Sequence, residues 1–281
     1  MGYLLALLSG VDYDLAKIVF GYLILGTAHL SVSFSNDYFD RHTDRNSVKT
    51  AFSGGSKILI EHPELESLAL NLAVLLLCSS ILINAFFTVI YEYPIWFFIF
   101  GLFGALIGWF YAAPPLSLAY RGLGELSTML AVGFLMPGIG FIVASGNIGP
   151  IFQAFILPLS CYGLFFILTV ELPDVESDTV GQKKTLLVKW SRVAGKRISV
   201  IASLTGTVSL IAIFFSGITK GIIDVNSFIP FSVIPLIASI GSLLVNTKNR
   251  TLLVRQVMIN ITSLILFLFL IDVSLFFQLT L

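Results

Sequence analysis

Two groups of acidic residues carry the chemistry this sequence can do. The first is Asn36-Asp37-Tyr38-Phe39-Asp40-Arg41-His42-Thr43-Asp44, in which Asp37, Asp40 and Asp44 fall at i, i+3 and i+7. The second is Glu171-Leu172-Pro173-Asp174-Val175-Glu176-Ser177-Asp178, where Glu171, Asp174 and Asp178 repeat that spacing. At about 100° per residue, three such positions subtend only about 60° of a helix, so each group is predicted to present one carboxylate face. Like charges one turn apart destabilise a bare helix by a few tenths of a kcal/mol per pair, and a counter-cation removes that cost. Hard oxygen donors in two sets suit Mg²⁺, which keeps part of its water shell and bridges carboxylates to the phosphates of a substrate. Two other readings compete. In one, the acids are solvated helix ends paired with Arg41, Arg45, Lys183 and Lys184. In the other, they line an ion pathway, as in a carboxylate-lined transporter. Duplication of the spacing argues against the first, and a position at helix ends, away from the bilayer midplane, argues against the second.

The elements that must position these groups are membrane helices. The chain has 281 residues, 57% hydrophobic and 11% charged, with a mean hydropathy of +0.96. A soluble globular domain carries roughly 25% charged residues, so that class is excluded. Net charge is zero, which leaves no basic field for nucleic acid. Cys78 and Cys161 both lie in apolar runs, which speaks against a disulfide framework or a thiolate metal site. Eight apolar stretches approach the ~20 residues a span needs: 15–36, 68–91, 95–112, 126–145, 151–170, 198–215, 228–245 and 253–276. None shows the alternation of a membrane barrel. The expected fold is an all-α polytopic membrane protein, one domain over 1–281, with eight full transmembrane helices and a truncated N-terminal one at 1–8.

The loops 36–67, 113–125, 171–197 and 246–252, with their flanks, carry every Lys and Arg except Lys17 and Lys220. The positive-inside rule therefore places those loops in the cytoplasm of a multi-pass cell-membrane protein. Both acidic groups then sit at cytoplasmic helix ends, at the boundary of the lipid bilayer.

These residues resemble the UbiA superfamily of intramembrane prenyltransferases, with its nine-helix fold. The first group is similar to that family's N-D-x-x-D-x-x-x-D motif at Asn36, Asp37, Asp40 and Asp44, and the second to its other aspartate-rich motif at Asp174 and Asp178. Gly181-Gln182-Lys183-Lys184-Thr185-Leu186 resembles the G-x-K-x-T-L run that follows it. Tyr111-Ala112-Ala113-Pro114-Pro115-Leu116 and Ala119-Tyr120-Arg121-Gly122-Leu123-Gly124-Glu125 look like the MenA-type branch, which prenylates dihydroxynaphthoate. Ser53-Gly54-Gly55-Ser56-Lys57 leans the same way, its glycines serving either as a phosphate nest or as a plain turn.

The resemblance implies Mg²⁺-dependent transfer of a polyprenyl chain from an isoprenyl diphosphate to a hydrophobic acceptor such as 1,4-dihydroxy-2-naphthoate. An archaeal lipid branch, which adds geranylgeranyl to geranylgeranylglyceryl phosphate, is the alternative. It further implies catalytic roles for Asp37, Asp40, Asp174 and Tyr111, the tyrosine steadying an allylic cation. Metal ligands would be Asp37, Asp40, Asp44, Asp174 and Asp178, with Glu171 a further candidate. Substrate contacts would come from Asn36, Lys49, Arg121, Lys183 and Lys184. The chain departs from the family pattern at Val170-Glu171, where relatives often have Asn-Asp. It also departs at Pro115, where a Y-x-x-x-K pattern has lysine, and there Arg121 is the candidate replacement cation.

Overall fold

The computed structural model describes residues 1–280 and is helical throughout, with no strand among the described residues. In chain order the helices are α1 (Gly2–Leu8), α2 (Leu15–Asp44), α3 (Ile58–Glu61), α4 (Glu66–Ile90), α5 (Ile95–Trp109), α6 (Gly124–Leu130) and α7 (Met136–Ser145). There follow α8 (Pro150–Val170), α9 (Val175–Val180), α10 (Leu186–Lys189), α11 (Arg192–Ser216), α12 (Phe228–Leu244) and α13 (Arg250–Thr280). A single π turn, Ala131–Leu135, joins α6 to α7 into one span. Pro137 has no N–H to return to residue 133, and the widened turn just before it takes up that loss.

Among the described residues, seven helical stretches are long and apolar enough to cross a membrane, against the eight expected. The shortfall is the 95–112 stretch. Its helix, α5, has 15 residues, about 22 Å at 1.5 Å per residue against a hydrocarbon core of about 30 Å. Pro114 and Pro115 cannot continue the hydrogen-bond ladder. The chain instead doubles back, so that the N–H groups of Leu118 and Ala119 bond to the carbonyls of Phe110 and Tyr111 at 2.9 and 3.0 Å.

The chain divides into two compact units, each assembled from separated stretches. The first comprises Met1–Ile18, Thr128–Thr169 and the chain from Val193 onward. Its core is aromatic: Phe141, Phe152, Phe155, Phe165, Phe228 and Phe267 are buried together. A polar seam crosses it, with Ser203 and Ser239 hydroxyls 2.7 Å apart and Tyr162 bonded to Thr207 at 3.3 Å. Small hydroxyl residues allow the close helix approach on which membrane packing depends.

The second unit, Val19–Ser127 with Val170–Arg192, contains both acidic groups. Helices α2 and α4 are tied by Ser31 Oγ donating to the Ala73 carbonyl and Ser80 Oγ to the Ile24 carbonyl, each at 2.8 Å. Asn84 Nδ2 donates to the Phe98 carbonyl at 2.9 Å, and Gly101 leaves the space that amide needs, since a Cβ there would collide with it. Helix α2 has 30 residues, about 45 Å at 1.5 Å per residue, so it outruns the hydrocarbon by about three turns. Asn36–Asp44 lies on that overhang.

Candidate active site

The two acidic groups are built differently. The first is one continuous face: Asp37, Asp40 and Asp44 all lie on α2. The second is broken, because α8 ends at Val170 and the chain turns through Glu171–Asp174 before α9 begins. Pro173 interrupts the helix the spacing predicted, and Asp174 becomes the residue that precedes α9. The break brings the second group round to the first. Gly181 then packs on Thr43 of α2 so closely that a Cβ would collide with the threonine side chain.

Lys183 is the junction. Its backbone N–H donates to the Asp178 carbonyl at 2.9 Å, and its ammonium donates to Asp40 Oδ2 at 2.9 Å and lies 3.9 Å from Asp178 Oδ1. One cation therefore faces a carboxylate from each group. Burial strips water from that ammonium, but the charges of Asp40 and Asp178 outweigh the loss and hold it protonated well above the usual lysine range. Asp40 takes a second donor, the Tyr120 hydroxyl at 2.7 Å. That hydroxyl is also 3.1 Å from Thr43 Oγ1, and Lys183 Nζ lies 5.5 Å from the Tyr120 ring centroid. Burial first, then the Asp40 charge, push the Tyr120 phenol up to about 12, so it remains a donor at neutral pH.

Asp178 shows how crowded the site is. Burial raises its carboxyl to about 7; Lys183 opposes the rise, while Asp174, Asp40 and Asp44 add to it. Carboxylates of both groups thus act on one point. Asp37 lies two turns before Asp44 on α2 and bears on it electrostatically, and Asn36 Oδ1 is enclosed with no hydrogen-bond donor. The glycine pair closes the other side: the Gly54 N–H donates to Asp174 Oδ2 at 3.2 Å, and Gly55 leaves space occupied by the Asp44 carboxylate. Both glycines have positive φ, 87° and 69°, a conformation that favours glycine. The Gly54 amide serves the protein's own Asp174 carboxylate here. Among the described residues no three carboxylate, imidazole or thiol side chains already form a metal cage.

Other expected site residues are placed at a remove. Lys49 is exposed and donates to the Ser56 carbonyl at 2.8 Å, and Lys184 is exposed. Arg121 is exposed too, but its guanidinium donates to the Pro115 carbonyl at 2.7 Å, which sets a cation against the position where the Y-x-x-x-K pattern has lysine. Tyr111 is half-buried, with its hydroxyl 3.5 Å from where a Gly124 Cβ would stand. Glu171 is buried, and its side chain hydrogen-bonds the carboxyl of Glu125. Sequence reading gave no role to Tyr120, Thr43, Glu125 or Gly181. The first and third stand in the MenA-like run, but nothing in their spacing announces a partner 60 to 80 residues away in sequence.

A sequence model of the UbiA prenyltransferase family matches residues 1–264. A 1,4-dihydroxy-2-naphthoate octaprenyltransferase of Bacillus subtilis (strain 168) is 24% identical over 159 residues, 57% of this chain and 50% of that protein. The chain thus spans about half the length of the curated relative it matches. A UbiA homologue from Aeropyrum pernix K1, solved in its apo form, superposes with a TM-score of 0.72 at 15% identity, covering 97% of this chain and 94% of that one. A UbiA homologue from Archaeoglobus fulgidus, bound to GPP and Mg²⁺, superposes with a TM-score of 0.67 at 16% identity over 96% and 95% of the two chains. These structural likenesses extend over nearly the whole fold.

Proposed function

The chain belongs to the UbiA prenyltransferase family, and from that premise we propose that it transfers a polyprenyl chain from an isoprenyl diphosphate to an aromatic acceptor of the 1,4-dihydroxy-2-naphthoate kind, with Mg²⁺, at the cytoplasmic face of the cell membrane. The observation that carries this reading is the Lys183 ammonium held between Asp40 and Asp178, which faces both acidic groups at one point. The name of the Bacillus subtilis relative supports the acceptor class. GPP and Mg²⁺ in the Archaeoglobus fulgidus homologue support the donor and the ion. Fourteen of the sixteen basic residues on one side of the topology support the sidedness.

The donor set fits such an ion. It consists of hard carboxylate oxygens from both groups, with Asn36 Oδ1 enclosed and lacking a donor, and it suits a cation shared with a phosphate better than an all-protein cage. Asp37, Asp40, Asp44, Asp174 and Asp178 would hold it. When bound, Mg²⁺ neutralises charge growing on the departing diphosphate. The protein's own groups do the rest. Lys183 offers its ammonium to a phosphate oxygen at the expense of Asp40, exchanging one anion for another. Tyr120 and Thr43 keep Asp40 oriented while that exchange takes place. Arg121, held at Pro115, supplies a second cation at the rim, and the Tyr111 ring offers an aromatic face to an allylic cation.

The test is pyrophosphate release by purified protein given geranylgeranyl diphosphate, with and without Mg²⁺, against dihydroxynaphthoate and geranylgeranylglyceryl phosphate in parallel. Asp40→Ala and Asp174→Ala should each abolish release. Wild-type rates in either variant refute the reading, and release with the lipid acceptor alone refutes its choice of acceptor.

A further inference from the structure

Glu125 and Glu171 stand outside the mechanism above. Glu125 sits at the start of α6 and Glu171 just past the end of α8, and they are 3% and 7% exposed. Buried carboxyls persist only where hydrogen bonds hold them. Glu125 Oε1 accepts the backbone N–H of Leu186, the first residue of α10, and the same side chain is hydrogen-bonded to Glu171. Two carboxyls can share a hydrogen bond only with a proton between them. Burial and the neighbouring Glu125 charge keep the Glu171 carboxyl well above the ordinary range. The Lys183 ammonium does not serve this pair, since it is bonded to Asp40 and faces Asp178.

The segment thus fixed is the one that carries Lys183. Upstream, the Lys183 N–H is bonded to the Asp178 carbonyl at 2.9 Å and Gly181 is pressed on Thr43. Downstream, three residues on, Leu186 is bonded to Glu125. Thr185 adds a local cap, its hydroxyl accepting from the Val188 N–H at 3.3 Å. A third contact falls at Gly122, where a Cβ would stand 2.9 Å from the Lys184 carbonyl. The loop is therefore held at both ends, with the lysine between them.

We propose that Glu125 is a positioning residue that fixes the Lys183 loop through Leu186. This rests on the prenyltransferase reading for its kinetic readout. A misplacement of about 1 Å in a charged donor can cost on the order of 10²-fold in rate, so the lost strut should be visible in the diphosphate term.

The experiment compares purified wild type with Glu125→Ala and Glu125→Gln. For each, KM is measured for geranylgeranyl diphosphate and for dihydroxynaphthoate. Glu125→Ala should raise the diphosphate KM about tenfold or more and leave the acceptor KM near wild type, and Glu125→Gln, which can still accept from Leu186, should recover most of it. The proposal fails if Glu125→Ala changes only the acceptor KM, or if Glu125→Gln is no better than Glu125→Ala. Hydrogen–deuterium exchange of the peptide covering 183–189 gives a readout independent of turnover. Glu125→Ala should deprotect it and Glu125→Gln should not. That result stands or falls even if the wild type transfers no prenyl group.

Discussion

Replacing Lys183 with methionine keeps much of the side-chain volume and removes the cation shared by the two acidic groups. Both ends of its ion pair with Asp40 are largely buried, the side chains being 13% and 10% exposed, so solvent screening discounts the pair only slightly. Removing one partner of such a pair costs about 3–5 kcal/mol, because a desolvated charge is left uncompensated. Part of that returns. Asp178 already sits at about 7, so taking up a proton at pH 7.5 costs it less than about 1 kcal/mol. Asp40 has only the Tyr120 donor to fall back on. A net loss of about 2–4 kcal/mol is therefore expected for the metal-free protein. Mg²⁺ should act in the opposite sense on the two proteins. In the variant it meets carboxylates with no competing ammonium, so it should raise the unfolding temperature of Lys183→Met more than that of wild type, while turnover falls because a diphosphate donor is gone. The measurement is thermal unfolding of both purified proteins in detergent across a MgCl₂ titration. Equal unfolding temperatures without Mg²⁺, or greater protection of the wild type, would refute the assignment of Lys183 as the internal counter-ion.

The pH dependence follows from the same crowding. Asp178 binds its proton more tightly folded, at about 7, than unfolded, near 3.8, so each pH unit between those values costs the metal-free protein about 1.4 kcal/mol as pH rises. Its unfolding temperature should fall from pH 5 to 7 and then level off, with Mg²⁺ protection growing over the same window; a rise from pH 5 to 7 would contradict the assignment. Gly133→Ala should fail to accumulate as folded protein, since a Cβ in the π turn would collide with the backbone of Ser160, and size-exclusion profiles of the solubilised protein would check it. Gly181→Ala should leave the membrane fold intact yet lower turnover by about tenfold or more by pushing the Lys183 loop off Thr43, as steady-state kinetics would report. Tyr120→Phe removes one of two donors to Asp40 and should lower turnover less than Asp40→Ala does; an equal loss would give the phenol a direct role.

The number and order of apolar stretches were legible because a span is long and its signal accumulates over about 20 residues. The exception is the stretch 95–112, of which only Ile95–Trp109 is helical; hydropathy is blind to where the chain leaves the helix ahead of Pro114 and Pro115. The first acidic group was legible in full, since three aspartates on one unbroken helix obey the period they were read with. The second was legible in its residues but not in its shape. The i, i+3, i+7 count assumed a helix through Pro173, and the turn that replaced it is what swings Asp178 and Lys183 toward Asp40. Glu171 carried the same spacing into a different bond, because what a carboxyl does is decided by its nearest partner, and Glu125 lies 46 residues earlier in a different helix. Spacing along the chain reports which residues share a helix face. It cannot report that Glu125 accepts from Leu186, that Gly181 yields room to Thr43, or that a single ammonium faces two motifs 134 residues apart. Those are properties of packing. They locate the cation that lets carboxylates of the two groups, Asp40 and Asp178, face one point before any metal arrives: both lie on the Lys183 ammonium, at 2.9 and 3.9 Å.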